Sequence, residues 1–467
     1  MSTDASSVTS SSATYTPVPK GLLLRRPKAP HQNLEGIESA MALGDYSRLR
    51  NWLKPDKRAA ITDEVKKANL RGRGGAGFPA GMKWGFIGKG FPRYLVINAD
   101  EGEPGTFKDR YWLEKDPHPL IEGCILAAYA LEANVVYIYL RGEFIHPCDV
   151  LDRAIAQARA KGYIGKNVLG TGFDLEMHTH LGAGAYICGE ETALLESLEG
   201  KPGQPRLKPP FPAVQGLFGL PTIINNVETI VNVPIILEHG GDNFHSWGTP
   251  KNGGTKIFGV SGHVKRPGIY EFALGKITMR ELVYDHCGGI LDDRPLKAIV
   301  PGGASCPVID PTELDVILDF DSLKAVGSML GTAGVIVIAE PTCIVQALLR
   351  LSSFYQHESC GQCTPCREGT GWVVRILRAI EEGRGRPEHL TMLETICGQM
   401  EGNTICAHGD AAAWPVQGIL KKFRPEVEAH ITGKGCPYHG RQGHAGSDWT
   451  TKAQAWADQT LKGGASW

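Results

Sequence analysis

The sequence predicts a multidomain α/β protein, with a layered α/β domain, a smaller α+β module and a helical C-terminal region. Three observations predict it. Two apolar runs of buried-strand type, Tyr94–Asn98 and Val135–Leu140, flank a stretch from Leu120 to Ala133 with apolar residues at helical spacing, which reads as a β-α-β unit. Beyond a glycine-rich break at 240–254 the texture changes to short strand-like runs separated by Gly and Pro turns, continuing to about Glu340. From Cys343 onward the pattern is helical and includes three cysteines at two-residue intervals, Cys360, Cys363 and Cys366.

Composition narrows the function classes. A chain of 467 residues has room for roughly two to four domains. Lys and Arg total 49 against 50 for Asp and Glu, a net charge of −1 that argues against nucleic acid as the main partner. The longest apolar runs, such as Val135–Leu140 and Gly334–Ala339, are strand length, so any membrane association is expected through partners. Twelve cysteines without a preceding secretory apolar region fit a reducing compartment better than a disulfide framework.

In chain order, residues 1–35 are rich in Ser, Thr and Pro and read as a disordered tail. Residues 36–79 form a helical region ending in a glycine-rich loop, Arg71–Pro79, in which Gly72, Gly74 and Gly77 satisfy the pattern G-x-G-x-x-G. Asp100 even lies near the offset of a ribose-binding acid. A dinucleotide fingerprint follows a strand, however, and this loop follows a helix, so the ordinary fold of that kind is disfavoured. What survives is local: backbone N–H groups open to an anion, with Arg71, Arg73 and Lys83 supplying charge. A plain flexible connector is the alternative.

Residues 80–250 hold the layered domain. Its first strand opens into an acidic turn carrying Asp100, Glu101 and Glu103, at the strand end where open α/β sheets bind ligands. A second helix follows from about Cys148 to Lys161. A second glycine turn, Gly182–Glu191, feeds a helix from Thr192, which exposes N–H groups to a polar ligand or simply makes a tight crossover. Lys201–Pro212 contains five prolines and reads as an extended segment in which Lys208 and Phe211 face a nucleotide or merely stiffen a linker. Asn225, Asn226 and Thr229 open a further apolar helix.

Residues 251–341 are the α+β module, with a helix expected from Thr278 to Cys287 and nothing catalytic in view. Residues 342–440 are helical, and 441–467 form a tail. Three thiolates at two-residue spacing lean toward an iron–sulfur cluster, although a four-cysteine zinc site also tolerates such spacing. The fourth ligand is Cys406, followed by a turn-prone His408-Gly-Asp410, or in reserve Cys397. His430, His439 and His444 with Cys436 lack a tight spacing and read as solvated tail residues.

Across residues 40–440 the chain resembles the flavin- and NADH-binding subunit of respiratory complex I, the proton-pumping NADH:quinone oxidoreductase. The resemblance rests on Arg71–Pro79, Lys83-Trp84, Asn98–Gly105, Gly182–Glu191, Asn225–Thr229 and the cysteine triplet. It implies a Rossmann-like FMN/NADH domain, a ubiquitin-like SLBB-type module and a helical bundle with one 4Fe-4S cluster. It further implies FMN bound by Gly72, Gly74, Lys83, Asn98, Asp100, Tyr186, Gly189, Glu190, Asn225, Asn226 and Thr229. NADH would meet Phe78, Phe86, Lys208 and Phe211, with Glu101, Glu103 and Glu191 near the reacting rings and Glu103 and Glu191 closest to the chemistry. Cys360, Cys363, Cys366 and Cys406 would ligate the cluster, a choice made by resemblance rather than spacing.

The expected activity is NADH oxidation, with electrons passed singly to the cluster toward quinone. The expected neighbour is a thioredoxin-like 2Fe-2S subunit among other peripheral-arm subunits. The expected location is peripheral, on the cytoplasmic side of a bacterial inner membrane or the matrix side of a mitochondrial one. Two alternatives stand: the diaphorase subunit of a soluble NAD-linked hydrogenase or formate dehydrogenase, and a non-catalytic zinc-binding scaffold.

Overall fold

A computed structural model describes residues 21–24 and 34–438. The tail sequences before and after these, with His439 and His444, lie outside the described residues.

Four strands, β1 (Tyr94–Ala99), β2 (Val135–Leu140), β3 (Glu176–Leu181) and β4 (Thr222–Asn226), form one parallel sheet in the order β3-β2-β1-β4. The central β1 is apolar on both faces because both are covered, as parallel sheets require. Leu95, Ile97, Val136 and Ile138 pack beneath the helices His118–Leu131 and Val227–His239. Tyr94, Val96, Tyr139 and Ile224 pack on the other face against Ala193, Leu194 and Leu195 of the helix Glu191–Leu198. The result is an α/β/α sandwich. Its strand order reverses between β1 and β4, the place where ligands enter such folds.

Two features depart from the sequence expectation. Asn225 and Asn226 do not begin a helix: they end β4, and the helix starts at Val227 with Asn226 as its cap. The edge strand β3, Glu-Met-His-Thr-His-Leu, is only half apolar and gave no strand signal.

The second sheet, β5 (Thr255–Gly262), β6 (Gly268–Ala273), β7 (Leu296–Val300) and β8 (Gly334–Ala339), has the order β6-β5-β8-β7. β5 and β6 pair as an antiparallel hairpin, while the first and last strands, β5 and β8, lie parallel at the centre, a ubiquitin-like arrangement. The expected helix at 278–287 is one irregular turn, Glu281–His286, with the wider π-type winding. Five helices follow, Ile344–Glu358, Thr364–Glu381, Glu388–Met400, His408–Lys422 and Arg424–Thr432, around a core that includes Leu348, Leu377, Leu393 and Val416. No helix among the described residues is long and apolar enough to cross a membrane.

Candidate functional site

A cleft of about 1020 Å³ opens at the sheet's switch point, where the three regions meet. Its walls come from the glycine loop (Gly74, Gly75, Ala76), the ends of β1 and β4 (Asn98, Asn226), the acidic turn, the second glycine turn (Tyr186, Gly189, Glu190), the SLBB-like module (Ser305, Thr332) and the start of the helix at His408.

The glycine loop reaches the cleft although it follows a helix. Its Gly72 N–H is spent on the Phe78 carbonyl at 2.8 Å, closing the loop on itself. A Cβ on Gly74 would stand 3.0 Å from the Asn226 side chain. Gly77 has φ +67°, and a Cβ there would strike the Phe320 ring at 2.7 Å. The loop is anchored from behind: Thr229 Oγ1 accepts the Arg73 N–H at 2.9 Å. The Arg73 side chain does not face the cleft. It is fully buried and donates to the Gly253 and Thr255 carbonyls, so it supplies no charge to a ligand. Asn225 is likewise turned inward, accepting from the Trp84 indole at 2.8 Å.

Beneath the loop lies a buried charge network that sequence reasoning missed. Lys108 Nζ stands 2.7 Å from Asp109 and 2.8 Å from Glu228, and Lys256 Nζ stands 3.1 Å from Glu228. Burial alone would raise the Glu228 carboxyl, but Lys108, Lys256 and Arg73 outweigh it and hold it at about 2. The network surfaces through Asn226, whose Nδ2 donates to Asp109 at 2.6 Å and whose Oδ1 accepts from Lys108 at 3.2 Å. The available signal was a lone acid, Glu228, inside an otherwise apolar helix.

The three acids of the β1 turn have different fates. Glu101 is turned inward, accepting the Asp109 N–H at 2.6 Å and pairing with Arg110 at 3.0 Å. Glu103 stands at the junction with the SLBB-like module, accepting from Tyr186 Oη at 2.5 Å and from the Ser305 N–H at 2.8 Å. Asp100 is pushed up to about 7, chiefly by burial and further by Glu143 and Glu358, against the pull of Arg141. Asn98 spans the gap to the second glycine turn, donating to the Gly189 carbonyl at 2.7 Å.

At the mouth, Phe78, Phe86 and Phe211 are each about half exposed, and Phe78 and Phe86 lie with ring centroids 6.3 Å apart. Glu191 bridges Lys83 at 2.8 Å and Lys208 at 3.0 Å. Its burial favours the neutral acid, yet the two lysines win and hold it at about 2. Glu190 caps the Glu191–Leu198 helix, accepting from the Thr192 and Ala193 amides, and also pairs with Lys208 at 3.0 Å.

The second glycine turn separates this cleft from the cysteines. The Tyr186 N–H donates to Glu358, two residues before Cys360, at 2.9 Å. Cys360 and Cys406 both pack against the cluster that contains Cys188. Cys406 feels the charge of Cys360 and Cys366, whereas Cys397 is fully buried in the bundle core. The four thiols therefore gather at one edge of the bundle, beside the cleft.

Three family models match: the Nuo51 FMN-binding domain over residues 65–235, an SLBB domain over 256–337, and the NADH-ubiquinone oxidoreductase-F iron-sulfur binding region over 346–430. The second of two F subunits of the NADH-quinone oxidoreductase of Rhizobium meliloti is 53% identical over 420 residues, spanning 90% of this chain and 99% of that protein. The chain belongs to the family of NADH-quinone oxidoreductase F subunits. The F subunit of Rickettsia felis is also 53% identical, across 86% of this chain and 96% of the relative. The mitochondrial NADH dehydrogenase [ubiquinone] flavoprotein 1 of Dictyostelium discoideum matches at 53% across 85% and 83%. Among solved structures, an NAD+-reducing [NiFe]-hydrogenase superposes with a TM-score of 0.73 at 36% identity, covering 87% of this chain and 67% of that one.

The site fits the two cofactors of this family on its own geometry. A cradle where a Cβ on Gly74 would crowd Asn226 suits a flat ring, and polar groups from Asn98, Asp100 and Asn226 line it. Four thiols at the bundle edge suit an iron–sulfur cluster. Among the described residues the cysteine quartet is not a set whose ligand atoms all fall within 4.8 Å, the convergence a single small ion demands.

Proposed function

We propose that this chain is the NADH-oxidising, electron-entry subunit of an NADH:quinone oxidoreductase complex, and that its cleft binds FMN deep and NADH at the mouth. The observation that carries this reading is the position of the Tyr186–Gly189 turn, which lines the cleft on one side and meets the cysteine loop on the other. When bound, the flavin supplies two-electron acceptance from a hydride and single-electron release to an iron–sulfur cluster.

The chain's own residues position and insulate. Gly74, Gly75 and Ala76 let backbone approach the ring, while Thr229 and Asn225 hold that loop and its neighbour Trp84 from behind. Asn98, Asn226 and the buried Lys108 present hydrogen-bonding groups fixed before any ligand arrives, which lowers the cost of ordering the site. Phe78, Phe86 and Phe211 offer exposed aromatic faces for the bases of the dinucleotide, and Lys83 and Lys208 offer charge for its phosphates. Glu191 keeps both ammonium groups in place, and Glu103 sets negative charge beside the reacting rings. No side-chain nucleophile is required. Cys360, Cys363, Cys366 and Cys406 hold the cluster.

The F-subunit relatives are matched over almost their full length at 53% identity, whereas the hydrogenase chain is matched over two thirds of its length at 36%. This favours complex I over a soluble diaphorase. The partner we infer is a thioredoxin-like 2Fe-2S subunit, and the location is peripheral, on the cytoplasmic side of a bacterial inner membrane or the matrix side of a mitochondrial one.

An anaerobic NADH titration of the purified chain, read in the visible spectrum, tests the activity. Bleaching of flavin and cluster at stoichiometric NADH is expected. A flavin-free, zinc-containing protein after attempted cofactor reconstitution would overturn it.

A further inference from the structure

The bundle contains a second cluster of metal-ligating side chains, separate from the cysteine triplet and unused by the electron path. Cys343 precedes the helix Ile344–Glu358, Glu381 ends the helix Thr364–Glu381, His430 lies in the last helix, and Cys436 follows it. One ligand atom from each falls within 4.8 Å of all the others. Cys343 Sγ stands 3.1 Å from His430 Nε2 and 3.7 Å from Glu381 Oε2, and His430 Nε2 stands 3.4 Å from the same carboxylate. We propose that these four residues form a tetrahedral site for a structural Zn²⁺ that fastens the last helix and the following segment to the bundle.

The spacing suits that ion. Zn–S bonds of about 2.3 Å and Zn–N or Zn–O bonds of about 2.0–2.1 Å set tetrahedral ligand atoms roughly 3.3–3.8 Å apart. Two thiolates, an imidazole and a carboxylate form a borderline-soft set that suits zinc and excludes calcium or magnesium. The imidazole is oriented as such sites orient it: His430 Nδ1 lies 2.7 Å from the Glu426 carbonyl, so the donor hydrogen is committed there and Nε2 keeps its lone pair. Amide N–H groups of Gln346, at 3.3 Å from Cys343 Sγ, and of Tyr438, toward Cys436, favour thiolates over thiols. Zinc with two thiolates and a carboxylate leaves one excess negative charge. Lys297 stands close by, 2.6 Å from Glu426 and 3.3 Å from Tyr438 Oη, to offset it. Binding displaces the two thiol protons to solvent and changes no oxidation state.

Cys343 and His430 are essentially inaccessible, which also corrects the reading of His430 as a solvated tail residue. Hydrogen bonding alone explains one Cys–His pair. It gives no reason for a second sulfur and a carboxylate to converge on the same point from two other elements.

The experiment uses the full chain with its flavin and iron–sulfur cluster, stripped of adventitious metal with a chelator. It is then titrated with Zn²⁺ against a chromophoric competitor, and iron and zinc are counted by mass spectrometry. One Zn²⁺ per chain is expected in addition to the cluster iron. Cys436→Ser and Glu381→Gln should each weaken binding at least tenfold, and Co²⁺ in place of zinc should show ligand-field bands that Cys436→Ser abolishes. Cys363→Ala should keep the zinc. Two variants are used because each alters one ligand differently, so misfolding of one leaves the other informative. Zinc uptake that survives both substitutions, uptake that disappears instead in Cys363→Ala, or no stoichiometric uptake by the native chain would overturn the site and leave a hydrogen-bonded polar cluster.

Discussion

Tyr186 Oη donates to Glu103 Oε2 at 2.5 Å, which ties the second glycine turn to the acidic turn across the floor of the cleft. The Ser305 N–H reaches the other oxygen at 2.8 Å, so one carboxylate joins the flavin domain to the SLBB module. Of the turn's acids, Glu103 is the one positioned to oppose dinucleotide phosphates, because Glu101 is neutralised by Arg110. Glu103→Gln should therefore tighten NADH and NAD+ binding by about tenfold, as expected for removing one carboxylate–phosphate repulsion in a partly shielded cleft. Calorimetry on the flavin-loaded chain checks this, and weaker binding would sink it. Tyr186→Phe should destabilise the fold by roughly 1–3 kcal/mol through loss of the donor to a sequestered carboxylate.

Asp100 gives the flavin-free chain a pH dependence of known sign. Burial raises its folded pKa to about 7, whereas the unfolded chain ionises near the ordinary aspartate value of about 4. Between these values the folded state holds a proton that the unfolded state has released, so this group's contribution to stability falls as pH rises and is fully lost above about 7. Asp100→Asn should stabilise the flavin-free protein at pH 8 and leave it unchanged near pH 4. Thermal unfolding at several pH values measures the difference. A variant that tracks the native protein in parallel across that window would contradict the assignment of the slope to Asp100.

Glu228 faces both Lys108 and Lys256 at close range, with Arg73 nearby, all inside the protein. Removing one member of such a set leaves buried cations without compensation, which is far worse than losing a surface pair. Glu228→Gln should destabilise by roughly 3–5 kcal/mol in urea unfolding, and flavin affinity should fall with it, because Asn226 is positioned by Lys108 and Asp109. A change below about 1 kcal/mol would show that the network has relaxed without its anion.

Much of this architecture was legible because the relevant signals are local. The apolar run of β1, the helical period from Leu120 and the triplet Cys360, Cys363, Cys366 each announce themselves within one short window. β3 was hidden because an edge strand with two histidines lacks an apolar pattern, and β4 because its final asparagines look like a helix start. Long-range pairings were illegible for a different reason. Ser305 meets Glu103 across 202 positions, and Cys343 meets His430 across 87, so no spacing rule connects them. Arg73 shows the converse hazard: a glycine loop with an arginine reads as an anion site, yet that side chain is folded inward onto carbonyls of the next module.

The last prediction separates the two halves of the electron path. The flavin-side residues, from the glycine loop to Asn226, meet the cysteine loop through Tyr186 to Glu358 and Gln204 to Cys360. Cys363 lies beyond both contacts and lends the cleft no wall. Cys363→Ala should accordingly leave NADH-driven bleaching of the flavin within about twofold of native, since no transition-state contact is removed from hydride transfer. Transfer onward to a partner iron–sulfur protein should fall by several orders of magnitude. Stopped-flow absorbance at the flavin band, paired with low-temperature electron paramagnetic resonance of the cluster, reads the two steps separately. A folded, flavin-loaded Cys363→Ala chain that fails to bleach with NADH would show that the cysteine loop also shapes the hydride site, through the Glu358 contact to Tyr186.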